Sequence, residues 1–580
     1  MVRIKGISRL IYFSFLPLFC GLIYTQLFCY HRYQRLSNFN SIRIIDLGIP
    51  RGTIFDRNGR VLVKDKPCFN LCFVPFDLEN SEKVSNILAP ALNISQEKIE
   101  SILEKKYFNP FEQQFLKRDL NEKEIAFVEE KGEQLSGIFV QVGLKRDYKL
   151  GKKTGHLLGY LGEVSPRELQ EKRLKEEVIK PGDLVGKEGI EKVFDALLKG
   201  KRGGIRVEVD AHGHKVKILG KKESAPGNSI ILTIDSYIQE SVAKNLGGYQ
   251  GSAVVMDPRN GEILALVSKP SFDPDDISPY LSRPGNPFLN RAIKGCYPPG
   301  SIYKIITELT ALEKGIITPS DKLECRGVLE VKEGETTRLF HCWVDHKTGE
   351  YKQHGWIDIS TALPQSCNIF FGQVGLMVGA KDLLAYGKKF GLGSPTGIDL
   401  PGEKSGYIPR PRLSGGALNI SIGQGALLVT PIQLANLIAT IANGGNTWQP
   451  EVVKEIVDPS GNEILSFSPH LRGSVFIPEE NLSTLRAGLY NVVERGTGRN
   501  SRVEGLTVCG KTGTAQIAKA ELELPTHGAF VCYAPKENPT IALCVFLDHA
   551  SSAEAATIAG RILKDIFFPP AEGDNENEKD

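Results

Sequence analysis

YPPGSIYK occupies residues 297–304. Pro298 and Pro299 have no place inside a helix, so a helix is predicted to begin near Ser301. Ser301 and Lys304, three residues apart, then share one face of it. A serine at that end feels the positive pole of the helix dipole, which favours a developing alkoxide or oxyanion. Gly300 removes a side chain where a substrate must approach. Lys304 accepts the serine proton if burial and a neighbouring cation depress its pKa. A capping serine beside a solvated lysine is the plain alternative, because Ser-x-x-Lys recurs by chance.

Two further segments extend this reading. Ser366-Cys367-Asn368 follows a predicted helix at 359–365, and a hydroxyl and an amide two residues apart can relay a proton and orient an amide substrate. KTGTAQ (511–516) ends a predicted strand running from 507. Thr512 and Thr514 point to one side of it, Gly513 leaves an open surface along its edge, and Lys511 is long enough to reach over. Together they form a place for a substrate carboxylate; an ordinary edge strand guarded by a lysine is the alternative.

The surrounding pattern is α+β. GSAVVM (251–256), EILALV (262–267), 527–533 and 540–547 read as strands, and 302–314 and 431–442 as helices. Strands at both ends with helices between predict a sheet joining distant parts of the chain. Pro226-Gly227 marks a boundary before the strand-like NSIILTID. Upstream, RGTIFDRNGR (51–60) carries a hairpin signal at Asn58-Gly59, and 95–136 reads as amphipathic helices.

Composition narrows the class. Of 580 residues 41 % are hydrophobic and 24 % charged, which excludes a wholly disordered or collagen-like chain. Lys plus Arg exceeds Asp plus Glu by 71 − 68 = 3, so no basic surplus argues for nucleic acid. Eleven scattered cysteines are no disulfide framework. Leu10 to Tyr30 holds no charged residue, enough for a helix of about 30 Å. Arg3, Lys5 and Arg9 precede it, which places the N-terminus in the cytoplasm and the bulk outside. Phe28-Cys29-Tyr30-His31 offers no small-residue cleavage site, and Phe19 and Phe28 precede the cysteines where a lipidation signal wants a small residue. An uncleaved single anchor is therefore expected.

Ser-x-x-Lys, then Ser-x-Asn, then Lys-Thr-Gly is the signature of the penicillin-binding and serine β-lactamase superfamily, which this chain resembles in all three elements. RGTIFDRNGRVL (51–62), GKEGIEKVFD (186–195), SIGQGALLVTPIQLA (421–435) and ANGG (442–445) are similar to motifs of class B penicillin-binding proteins. HCW (341–343), HG (354–355) and SCNIFF (366–371) look more like the elongation type than the septal type. The resemblance implies a cytoplasmic tail (1–9), a transmembrane helix (10–30), an extended pedestal or dimerisation-like domain (31–225), a serine transpeptidase/β-lactamase-like domain with a central antiparallel sheet (226–570), and a disordered acidic tail (571–580). It implies a protein of the cell (inner) membrane with its catalytic domain outside the cytoplasm.

The implied activity is that of a serine-type D-Ala-D-Ala transpeptidase, a class shared with the D-Ala-D-Ala carboxypeptidases, crosslinking peptidoglycan stem peptides during elongation. Ser301 would attack the D-Ala-D-Ala carbonyl, with Lys304 as base. Ser366 and Lys511 would pass the proton to the leaving D-alanine, and Asn368 would hold the acylated stem. Thr512, Gly513 and Thr514 would bind the substrate, its terminal carboxylate held by the threonines with Lys511. Backbone N–H groups of Ser301 and Thr514 would form the oxyanion hole. β-Lactams would acylate Ser301. A RodA-type glycosyltransferase and other elongation-complex proteins are the implied partners. A septal transpeptidase, or a D,D-carboxypeptidase or β-lactam sensor, is the rival reading.

Cys325, Cys342, His354 and Cys367 surround the middle motif, and three thiolates with one imidazole make a closed tetrahedral zinc set. The resemblance adds that some relatives bind zinc here, with ligands at the positions of His354 and Cys367. One structural Zn2+ is therefore expected, with none needed for the chemistry. A Cys325–Cys342 disulfide is the competing arrangement, and a buried free Cys367 unrelated to His354 is another. His341 and His346 are nearby decoys. His527 and Gly528, on the strand after KTGT, are candidates to line the cleft, with an ordinary strand position as the alternative; Cys68, Cys72, Cys509, Cys532 and Cys544 are expected to be buried.

Overall fold

A computed structural model describes residues 14–31, 42–105, 110–174, 179–209, 215–333, 336–344, 349–410, 414–515 and 526–569. The expected acidic tail and residues 10–13 of the expected anchor lie outside them. Ser14–Phe28 is an apolar helix with Leu18, Leu27 and Phe28 exposed, and among the described residues no single helix is long and apolar enough to cross a membrane.

The hairpin signal in RGTIFDRNGR is realised. Strand β1 (Ile54–Phe55) pairs antiparallel with β2 (Val61–Phe73), Ile54 against Val63 and Phe55 against Val61. Asp56 tightens the turn: its buried Oδ1 accepts from the backbone N–H of Asn58 (2.9 Å) and Arg60 (2.8 Å). Its Oδ2 accepts from Ser236 Oγ (2.6 Å) and Ser236 N (3.2 Å) at the start of helix α1 (Ser236–Asn245). On its other side β1 runs parallel to β3 (Ser229–Leu232), Ile54 beside Ile230. The resulting seven-stranded sheet includes Val453–Val457 and Glu463–Ser466 on one flank and Gln114–Lys117 and Ile138–Tyr148 beside β2. The motif thus stitches the pedestal to the C-terminal domain, and the sheet runs straight past Pro226-Gly227.

Behind the hairpin lies a buried ion-pair network. Arg51 reaches Asp195 (2.8 Å) and Glu191 (2.7 Å); Arg146 reaches Glu191 (2.8 Å) and Asp65 (2.9 Å). RGTIFDRNGR and GKEGIEKVFD, far apart in sequence, are the two halves of this network. The expected run of helices over 95–136 needs correction. Gln96–Leu103 and Glu122–Glu130 are helical, but Gln114–Lys117 is a strand added to Leu71–Phe73. Pairing to an existing edge, with Leu116 buried, overrides the local helical pattern.

The C-terminal domain is built on an antiparallel sheet of β4 (Gly251–Met256), β5 (Ile263–Lys269), β6 (Cys509–Ala515), β7 (His527–Ala534) and β8 (Ile541–Leu547), in the order β5-β4-β8-β7-β6. Its central strands are apolar on both faces because both are covered. Val254, Met256, Cys544 and Phe546 join a core with helices α2 (Lys304–Glu313), α3 (Asn368–Val378) and α4 (Pro431–Ala442). Ala253, Val255, Leu543 and Val545 face α1 and α5 (Ser552–Phe567). The period-two alternation sorts the side chains to the two layers, and each fully buried aliphatic side chain contributes about 1.5–3 kcal/mol. β6, which carries Lys511, is an edge strand, so one row of its backbone groups faces outward.

Candidate active site

Gly300–Tyr303 forms a tight 3-10 turn that leads straight into α2. Ser301 therefore stands half-buried in the first turn, and Lys304 opens the α-helix proper. The turn depends on Gly300, whose φ is +54° and whose added Cβ would lie 2.4 Å from the Thr514 carbonyl oxygen.

Lys304 is fully buried. Its Nζ donates to the Ser366 carbonyl (2.7 Å), to Ser366 Oγ (3.2 Å) and to Asn368 Oδ1 (2.8 Å). Burial pulls its pKa down to about 8, partly opposed by the nearby Cys367 and Cys342 thiols. Lys511, also fully buried, donates to Ser366 Oγ at 2.9 Å and to the Thr512 carbonyl at 3.2 Å. Burial, then the charge of Lys304, holds it well below the usual lysine value. One hydroxyl, that of Ser366, thus sits between two amines, one from each distant motif. Ser366 itself has φ +51°, a left-handed conformation costly for a serine that aims its hydroxyl into the gap. Asn368 begins α3; with Oδ1 engaged by Lys304, its amide N–H remains for a substrate carbonyl. Among the described residues Ser301 Oγ has no hydrogen-bond partner.

Lys511 thus reaches inward from β6. Thr512 Oγ1 lies 2.7 Å from Thr497 Oγ1, and Thr514 Oγ1 donates to Ser552 Oγ at 3.1 Å. Gly513 corrects the expectation of an open edge. A Cβ there would stand 2.9 Å from the Pro299 carbonyl and from Ile302 Cδ1, so its glycine serves close packing against the turn that carries Ser301. Thr497 escaped the sequence reading; its signal is the glycine-flanked RGTGR at 495–499. His527 packs its ring on Tyr297 and Phe546 and faces Asp548 (3.5 Å), with burial outweighing Asp548 and lowering its pKa.

Behind the Ser366 turn, one ligand atom each from Cys325, Cys342, His354 and Cys367 lies within 4.8 Å of all the others. All eleven cysteines are free, so Cys325 and Cys342 are not bridged. His354 Nδ1 is 3.4 Å from Cys325 Sγ and 3.9 Å from Cys342 Sγ. A tetrahedron with metal–ligand bonds of about 2.0–2.3 Å has edges of about 3.5–3.8 Å; the two histidine–sulfur distances lie near these edges, and the quartet as a whole, within 4.8 Å, is somewhat wider. Hydrogen bonds from Cys325 and Cys367 acidify the Cys342 thiol. Burial opposes the His354 charge, yet bonds to Cys325 and Cys342 raise its pKa to about 9. Cys367 Sγ is fully buried and accepts from Phe370 N at the start of α3 (3.4 Å). Trp343 Nε1 donates to the Gln365 carbonyl (3.0 Å), tying the cysteine loop to the Ser366 turn. His341 stacks on Tyr351 outside the quartet, and His346 lies outside the described residues.

Comparison with known proteins agrees with this geometry. Residues 251–567 match the penicillin-binding protein transpeptidase domain and 47–232 the penicillin-binding protein dimerisation domain. Peptidoglycan D,D-transpeptidase MrdA of Acinetobacter baumannii is 31 % identical over 576 residues, covering 94 % of this chain and 84 % of that protein. The penicillin-binding protein PBP2 of Helicobacter pylori, in a complex with MreC, superposes with a TM-score of 0.74 at 25 % identity, covering 91 % of this chain and 99 % of that one. A chain of a peptidoglycan synthase complex that coordinates polymerization and crosslinking superposes at 0.66 and 25 % identity, covering 97 % and 98 %. With motifs, site geometry and both domains in agreement, the chain belongs to the class B penicillin-binding proteins of the penicillin-binding protein 2 type, a family of peptidoglycan D,D-transpeptidases.

Proposed function

We propose that Ser301 carries the stem peptide as an acyl-enzyme. Its Oγ attacks the carbonyl of the D-Ala-D-Ala bond and yields its proton to Lys304 Nζ. The new ester bond forms as the C–N bond breaks, and Ser366, linked to Lys304 and Lys511, delivers a proton to the departing D-alanine amine. Backbone N–H groups of Ser301 and Thr514 hold the oxyanion, and removing one such donor costs about 3–4 kcal/mol in the barrier. The amine of a neighbouring stem then attacks the ester and frees Ser301, leaving a crosslink. The observation that carries this reading is the single Ser366 hydroxyl bridging two buried lysines from segments 207 residues apart (511 − 304).

Labelled penicillin should attach to the protein and not to Ser301→Ala. With lipid-linked substrate and an acceptor stem, crosslinked dimer should form. Tetrapeptide alone would mark a carboxypeptidase instead.

Zinc belongs to this proposal as a structural ion. Cys325, Cys342, His354 and Cys367 would hold it, and bound there it fixes the turn bearing Ser366 and Asn368 from behind. Metal analysis of protein purified without chelator should find one zinc per chain, and strong chelation should lower the melting temperature. Residues 10–30 would anchor the chain once in the membrane with the N-terminus in the cytoplasm; the bare apolar side chains of Ser14–Phe28 support this. The pedestal would meet an MreC-like protein, as a similar structure is in complex with MreC, and a RodA-type glycosyltransferase, a reading that fits a similar chain's place in a peptidoglycan synthase complex coordinating polymerization and crosslinking.

A further inference from the structure

We infer that Gln424 is a positioning residue for the oxyanion hole, acting through the backbone of Thr514; this rests on the acyl-enzyme reading above. In an extended strand the N–H and C=O of one residue point the same way. Thr514 lies on β6, the sheet's edge, opposite Gly528. Its carbonyl accepts from Gln424 Nε2 at 3.0 Å, so this carbonyl leaves the sheet rather than bonding to β7. The Thr514 N–H therefore faces the same outer side, toward the turn bearing Ser301. Gln424 satisfies the outward carbonyl and leaves the N–H beside it for a ligand.

The same segment grips the nucleophile. Gly300 N donates to the Gly423 carbonyl (3.0 Å), and Thr307 Oγ1 on α2 donates to the Ser421 carbonyl (2.8 Å). Tyr297 and Val429 exchange backbone hydrogen bonds at 2.9 and 2.8 Å. Backbones stack in order: a Cβ on Gly423 would lie 2.2 Å from the Gly300 carbonyl oxygen, and one on Gly300 2.4 Å from that of Thr514. Residues 421–429 thus hold the Ser301 turn, and Gln424 fixes its distance to the one outward carbonyl of β6 that borders it. The two N–H donors come from stretches 213 residues apart (514 − 301); Gln424 bonds to one through its side chain, and its neighbour Gly423 bonds to the turn of the other through its carbonyl.

Gln424→Met keeps length and removes the N–H donor. Rapid-mixing kinetics with a fluorescent penicillin should show the limiting acylation rate falling about tenfold to a hundredfold, as expected for misplacement of a reacting group by a fraction of an ångström. The dissociation constant of the complex before acylation should stay within about twofold, since Gln424 acts on the transition state through Thr514. The infrared band of the acyl-enzyme ester carbonyl should move to higher frequency as its hydrogen bonds weaken, a shift that loss of global stability would not produce. Should Gln424→Met fail to fold, the near-isosteric Gln424→Glu makes the same test. Wild-type acylation with an unshifted band in the folded variant would overturn the inference. Labelling that persists in Ser301→Ala would instead overturn the acyl-enzyme reading beneath it.

Discussion

Two regions of this molecule bury cations, and they do so with opposite partners. In the pedestal, Arg51 and Arg146 sit against Glu191, Asp195 and Asp65. Burial opposes the Arg51 charge, yet Glu191 and Asp195 raise its pKa above the usual value. In the cleft, Lys304 and Lys511 hydrogen-bond only to hydroxyl, amide and carbonyl oxygens among the described residues. No carboxylate there offsets desolvation, which the Cys367 and Cys342 thiols oppose only in part at Lys304, and both amines are pushed toward neutrality. A buried cation with carboxylates is a strut. A buried amine without them is a base.

This contrast can be broken at several points. Lys304→Met removes the base, and acylation by labelled penicillin should fall by about 10²–10⁴, far more than any change in melting temperature from the lost donor to Ser366 and Asn368 would account for. Glu191→Gln strips both arginines of their shared partner and should destabilise the protein by about 3–5 kcal/mol in urea unfolding, while leaving the acylation rate of the remaining folded protein intact. Asn368→Asp imports the pedestal's logic into the cleft, because Asn368 Oδ1 already lies 2.8 Å from Lys304 Nζ. The pH at which acylation reaches half its plateau should move up by about 1–3 units. Asp56→Asn weakens the tie between the hairpin and α1 and should cost about 1 kcal/mol, read as a small drop in melting temperature with normal penicillin labelling.

The sequence made the chemistry legible where it rests on residue types: Ser301, Lys304, Ser366 and Lys511 are named by their motifs, and the cysteine–histidine quartet by its ligand chemistry. The strands of the catalytic sheet were readable because their runs are apolar on both faces and bounded by turn residues. What stayed hidden depends on backbone placement. Gly513 reads as an open edge until Pro299 and Ile302 are seen pressed against it. Gln424 and Thr497 act through partners 90 and 15 residues away, which no local pattern announces. The strand at Gln114–Lys117 sits inside a helical composition and exists because β2 offers it an edge.

The central claim is that burial without a carboxylate makes Lys304 a base near neutral pH. It is tested most directly by the pH dependence of the limiting rate at which labelled penicillin acylates Ser301. A base must be unprotonated, so the rate should rise with pH and level off, with its inflection near the lowered value of about 8. An inflection at the ordinary lysine value of 10.5, or a rate that falls as pH rises through 8, would contradict it.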